Sequence, residues 1–264
     1  YELHSICMGG TVVIKWGGGL ITHKDQHCTV NLDIIESLAR ACSKSSKKLV
    51  IVHGAGSFGH LKAKKYRLSE GRIAGLNQDE AVESVRSDML ELNKHVMSSL
   101  QNHGIVAKSF PPHLWATGTG PNFEGVLPIF DGVTVVFGDV VNDNENDFGI
   151  LSGDDIMLRY STEVPDVERA VFAIGGVDGI LRVPPSQAGP EDLIENWSPD
   201  MEFEGEHASE IDVTGGIGLK AARGSMISQH GIDVQIINGE YPDRVLDALE
   251  GRTVRGTKIV SGNC

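Results

Sequence analysis

Val52-His53-Gly54-Ala55-Gly56-Ser57-Phe58-Gly59-His60 directly follows the apolar run Lys48-Leu49-Val50-Ile51. A buried strand that runs into a glycine-rich turn and then a helix points unpaired backbone N–H groups at solvent, where phosphate binds well. His60, just inside the expected helix, adds a donor for the same anion. A second glycine turn, Lys15-Trp16-Gly17-Gly18-Gly19, follows the strand Thr11 to Ile14. Two phosphate cradles in one chain point to an enzyme that brings two phosphates together.

Outward from these turns, strands and helices alternate, which favours a mainly parallel sheet covered on both faces. Strands are expected at Thr11–Lys15, Lys48–His53, Ile105–Ser109, Val133–Phe137, Ala170–Ile174, Val234–Ile237 and Lys258–Val260. Helices are expected at Leu32–Cys42, Gly56–Tyr66, Gln78–Gln101, Asp154–Thr162, Lys220–Gln229 and Pro242–Leu249. Gly125–Phe130 fits either type, and residues 184–208 read as an irregular acidic excursion. No internal repeat is present. Pro165-Asp166 interrupts the pattern and divides the chain into an N-terminal lobe, 1–165, and a C-terminal lobe, 166–264.

The 264 residues, 40% hydrophobic and 22% charged, are ordinary for a globular protein with a full core. No apolar run approaches the ~20 residues of a membrane span, and Tyr1 to Cys7 lacks the basic and apolar regions of a secretory signal. The net charge of −13 excludes the basic stripe of a nucleic-acid surface. Acid gathers at Asp139–Asp147 and Glu191–Glu210, which read as solvated loops. Cys7, Cys28, Cys42 and Cys264 form no CxxC pair, so reduced thiols in a cytoplasmic enzyme are expected. His23, His27 and Cys28 share a polar loop but lack a second ligand pair at zinc spacing, and no metal ligands are expected among them.

Lys15 ends the first strand, Lys24 follows the first turn, and Lys220 lies just past Thr214-Gly215-Gly216. In so acidic a chain, lysines beside glycine turns mark where anions bind. GxxxxGK[ST], GxGxxG, the protein-kinase His-Arg-Asp loop and the G-x-S-x-G elbow are all absent.

In order, Lys15-Trp16-Gly17-Gly18-Gly19, His53 to His60, Ser152-Gly153-Asp154-Asp155 and Ile211-Asp212-Val213-Thr214-Gly215-Gly216 resemble the amino acid kinase superfamily, and within it the isopentenyl phosphate kinases. The resemblance runs from about residue 10 to residue 262. It implies an open αβα sandwich, ATP and Mg²⁺ as cofactors, a small alkyl phosphate as substrate, and a homodimer. By the same resemblance, Lys15, Gly17, Gly18 and Gly19 hold the ATP phosphates, and Lys24 stabilises the transferring phosphoryl group. Ala55 and Gly56 offer N–H groups, His60 binds the acceptor phosphate, and Gly153 contacts the substrate. Gly216 and Lys220 close on the nucleotide, and Asp154 orients the lysines. A phosphonate kinase of the fosfomycin type, a kinase for another alkyl phosphate, and a non-catalytic nucleotide-binding protein remain open beside the isopentenyl phosphate reading.

Two departures stand out. Gly175-Gly176 occupies the place of the family's Thr-Asp, which removes a carboxylate expected near the nucleotide and implies weak ATP affinity. Gly19 stands where the family usually has Ser.

Overall fold

In a computed structural model, residues 9–201 and 216–262 are described. Cys7, Cys264, part of the acidic stretch, and Ile211 to Gly215 lie outside the described residues. One sheet of eight strands crosses the molecule in the order β3-β4-β2-β1-β7-β9-β10-β8. The first half of the chain builds outward from β1 (Gly9–Trp16) through β2 (Lys47–His53) and β4 (Val133–Phe137) to β3 (Ala107–Ser109). The second half builds the other way, through β7 (Val167–Ile174) and β9 (Asp233–Asn238) to β10 (Gly256–Ile259) and β8 (Asn196–Trp197). Pairing is parallel except between β9 and β10. The direction of winding thus reverses at β1. Open α/β sheets bind ligands outside the carboxyl ends of strands at such a reversal.

The apolar runs of β1 and β2 alternate between two cores because successive side chains leave a strand on opposite faces. Val12, Ile14 and Trp16 join one cluster, with Leu38 of α2 (Leu32–Ser43), Met89 of α4 (Asp79–Asn102) and Leu249 of the helix Pro242–Leu249. Val13 joins the other, with Met157 of α5 (Gly153–Glu163) and Ala221 of the helix Ile217–Ser228. Helices therefore cover both faces, the three-layer αβα arrangement expected from sequence. Val82, Val85 and Met89 are all buried in the first cluster, beside Val140 and Phe148.

Three local readings need correction. Asp139–Asp147 is not a solvated loop. Asp139–Asp143 (β5) and Asp147–Leu151 (β6) pair as an antiparallel hairpin. Val140, Val141, Phe148 and Leu151 are buried, and Asp139 itself is buried against His113. Asn142 and residues 144–147 are the part that is as polar and exposed as the composition implied. Gly56–Tyr66 is not one helix, but a 3-10 turn over Gly56–Phe58 followed by α3 (His60–Lys65). Gly125–Phe130 is neither helix nor strand. Among the described residues, no helix is long and apolar enough to cross a membrane.

Candidate active site

The two glycine turns meet where β1 and β2 end side by side, Trp16 paired with His53. The N–H of Gly54 donates to Trp16 O, and the N–H of Gly17 to Ala173 O on the opposite neighbour, both at 2.9 Å. The turns then touch through bare backbone. A Cβ on Gly18 would collide with the nitrogen of Gly56, and one on Gly54 would stand 2.5 Å from the nitrogen of Gly18. No side chain fits there, and beyond the strand-bonded amides of Gly17 and Gly54 the two turns meet as backbone alone. Gly18 begins a single short turn of helix, α1 (Gly18–Ile21).

Thr22 fastens the two turns. Its Oγ1 donates to Gly18 O at 2.7 Å and accepts from the Ser57 N–H at 3.0 Å. His53 supports them from below. It is fully buried, stacks on Phe137 with centroids 4.9 Å apart, and lies 3.0 Å from Gly54 O. Burial pulls its pKa down to about 4, so it is neutral at physiological pH and braces the turn. Neither Thr22 nor the bracing role of His53 was apparent from sequence, because both depend on which turns are neighbours.

The lysines assemble around one carboxylate. Lys15 shares the face of Val13, and that face is covered by α5, whose first turn carries Asp154. Lys15 Nζ donates to Asp154 Oδ1 at 2.5 Å, and Lys220 Nζ stands 3.5 Å from Oδ2. All three side chains are buried, Asp154 completely. Ser152 caps the helix by accepting from the Asp154 N–H, and Asp155 ties α5 to the helix Ile217–Ser228 through Arg223 at 2.6 Å. Lys220 lies in the first turn of that second helix, after Gly216. Gly153 admits Lys15, whose Cε would be 3.1 Å from a Cβ at that position.

Lys24 folds over the first turn, its Cε 2.5 Å from where a Cβ of Gly19 would stand. The glycine found in place of Ser thus gives Lys24 its path across the turn. His60 is the first residue of α3, exposed at the far end of the second turn, with Ala55 between it and Gly18 in the chain. Two lysines and Lys24 against one aspartate leave a surplus of positive charge beside the two turns. Polyphosphate suits that surplus.

The turn at 175–179 carries Gly175-Gly176 in place of the family's Thr-Asp. Gly176 has φ +78°, a left-handed conformation that resists most side chains, and its N–H meets Glu240 Oε1 at 3.3 Å. Asp178 lies two residues on, held by Arg244 and Arg255 at 2.6 Å each. Gly176, Asp178 and Glu240 line one cavity of about 520 Å³ with Asn238, Tyr241 and Arg255. Carboxylates therefore remain at this turn without the family's Asp.

Lys220 carries a testable consequence. Burial, then repulsion from Lys15, pulls its pKa down to about 8, while Asp154 works in the opposite direction. Raising the pH through 8 removes its charge, so binding of a polyphosphate at this cluster is expected to weaken on the alkaline side. Because the native pKa is below the unfolded value, the native state binds fewer protons between about 8 and ~10.5, and this group adds stability as pH rises there. Unfolding at Lys220 therefore does not explain the loss. A pH profile that stays flat to pH 9 in wild type contradicts this, and Lys220→Arg is expected to flatten it.

The profile of the amino acid kinase family matches residues 10–238. The chain belongs to the amino acid kinase family. Among its relatives, an isopentenyl phosphate kinase of Thermoplasma acidophilum is 31% identical over 240 residues, covering 89% of this chain and 95% of the relative. One from Methanothermobacter thermautotrophicus is 29% identical over 273 residues, covering 94% and 98%. A solved isopentenyl phosphate kinase structure superposes with a TM-score of 0.79 at 27% identity, over 95% of this chain and all of the other. An aspartate kinase from Synechocystis shares the fold alone, with TM-score 0.64 and 16% identity.

Proposed function

We propose that this chain transfers the γ-phosphoryl group of ATP to the phosphate oxygen of isopentenyl phosphate, giving isopentenyl diphosphate and ADP. The observation that carries this reading is the Lys15–Asp154–Lys220 cluster set beside two abutting glycine turns, with His60 at the end of the second. The names and coverage of the relatives support the substrate.

A phosphate monoester has a second pKa near ~6, so at neutral pH the acceptor oxygen is already an anionic nucleophile. No general base is needed. The cost lies in bringing two anions into line and stabilising the loosened phosphoryl group between them, which is work for fixed cations and amides. In this reading residues 1–165 hold the acceptor through Ala55, Gly56, His60 and Gly153. Residues 166–264 hold the nucleotide through Gly216 and Lys220, with Lys15 and Gly17 to Gly19 on its phosphates. Asp154 keeps Lys15 and Lys220 aimed, and Lys24 meets the group in flight. Mg²⁺ would neutralise the ATP phosphates. Asp154 is already engaged by two lysines, so the donor set fits a metal carried mainly by the nucleotide's own oxygens.

The same reading carries a cytoplasmic homodimer. Val106, Val126 and Ile129, in the segments leading into β3 and β4, expose apolar surface that a second copy would cover. Light scattering that gives the mass of one chain at working concentration would rule the dimer out.

His60→Ala tests the acceptor assignment. The variant is expected to lose at least tenfold in kcat/KM for isopentenyl phosphate, about 1.4 kcal/mol, with KM for ATP nearly unchanged. Normal turnover by the variant would refute the role of His60.

A further inference from the structure

The loop from Thr22 to Val30 carries Lys24 and is closed at its base by a bridge between those two residues. Its far end rests on the second glycine turn. The Cys28 N–H donates to Ser57 O, and the Thr29 N–H to Ser57 Oγ, both at 3.3 Å. Cys28 is in the left-handed region at φ +48°, a conformation uncommon outside glycine and worth a functional question.

That conformation sets Cys28 Sγ 3.8 Å from His27 Nε2. Asp88, on α4, completes a group whose ligating atoms all lie within 4.8 Å of one another. Tetrahedral zinc, with Zn–S about 2.3 Å and Zn–N about 2.0 Å, holds sulfur and nitrogen about 3.5 Å apart. The observed spacing is close to that. Lys62 Nζ is 2.5 Å from Asp88 Oδ2 and 2.7 Å from Ser84 Oγ, which leaves the other carboxylate oxygen for a cation. The ammonium weakens the site without blocking it.

We propose that His27, Cys28 and Asp88 bind a thiophilic divalent cation, zinc foremost, and that the bound ion pins the loop carrying Lys24 to α4. The second ligand pair that the sequence lacked is replaced by one carboxylate from a distant helix. On binding, the Cys28 thiol releases its proton to solvent as the sulfur–metal bond forms, and water completes the coordination. Pinning the loop restrains Lys24, so turnover falls. This last step rests on the kinase reading, whereas metal binding does not.

Cobalt titration of the full chain tests binding, since a sulfur ligand produces a charge-transfer band in the near ultraviolet. The expected result is one equivalent per chain, displaced by zinc, abolished in Cys28→Ser and weakened about tenfold or more in His27→Ala. Cys42 does not compete, because it is buried in the apolar core. ADP release in excess magnesium is then expected to fall about fivefold as buffered free zinc rises in wild type, but not in Cys28→Ser. Three results overturn the proposal: no sulfur band, a band that survives Cys28→Ser, or Cys28-dependent binding that leaves turnover unchanged. A protein with no kinase turnover even without zinc would refute the kinase reading and the restraint on Lys24 with it, with the cobalt spectrum still deciding the site.

Discussion

Lys24→Ala is expected to lower kcat about 100-fold or more while each KM moves only a few-fold. Lys24 crosses the first glycine turn on an exposed loop, whereas Lys15 and Lys220 are buried and already ion-paired with Asp154. In the proposed reading the buried pair sets a resting charge for the ATP phosphates, and Lys24 meets charge as it develops. A donor whose contact with the charge forms only in the transition state contributes on the order of 100- to 1000-fold in kcat, and little to ground-state binding. Steady-state kinetics in both substrates check this. A change confined to KM for ATP would reassign Lys24 to binding.

Asp154→Asn is expected to damage both stability and activity. The carboxylate has no solvent exposure and faces two buried ammonium groups. The amide is nearly the same size but leaves Lys15 and Lys220 uncompensated, and breaking a buried ion pair from one side costs about 3 kcal/mol or more. For a chain of this size that corresponds to a Tm lower by roughly 6–12 °C. Polyphosphate restores the missing negative charge, so saturating ATP is expected to raise the Tm of the variant more than that of wild type. Calorimetry with and without nucleotide measures both effects. A variant that melts with wild type would show that Asp154 is not the counter-charge of the cluster.

The strands that build the site were legible because their signals are local. The apolar runs at Thr11–Lys15 and Lys48–His53 end at glycine clusters, and both ends became the cradle. The β5–β6 hairpin was hidden because Asp139, Asn142, Asp143 and Asp147 outweigh its four buried apolar residues in any short window. The buried start of β5 becomes intelligible only once Asp139 is seen to be satisfied by His113. Gly176 shows what a sequence reading leaves out. A missing Asp suggested a missing carboxylate, yet φ +78° accounts for the glycine and Glu240 reaches the turn from another element. Thr22, Asp88 and the bracing role of His53 went unremarked for one shared reason. Each acts on a partner brought close by the fold, and spacing along the chain carries no trace of it.

The central claim is that this constellation joins two phosphates. It is tested most directly by ADP release, in one coupled assay, against isopentenyl phosphate, dimethylallyl phosphate, geranyl phosphate, fosfomycin and N-acetylglutamate. The account predicts the highest kcat/KM with isopentenyl phosphate and no turnover of the carboxylate. A preference for fosfomycin or N-acetylglutamate, or ADP release indifferent to every acceptor, would contradict it.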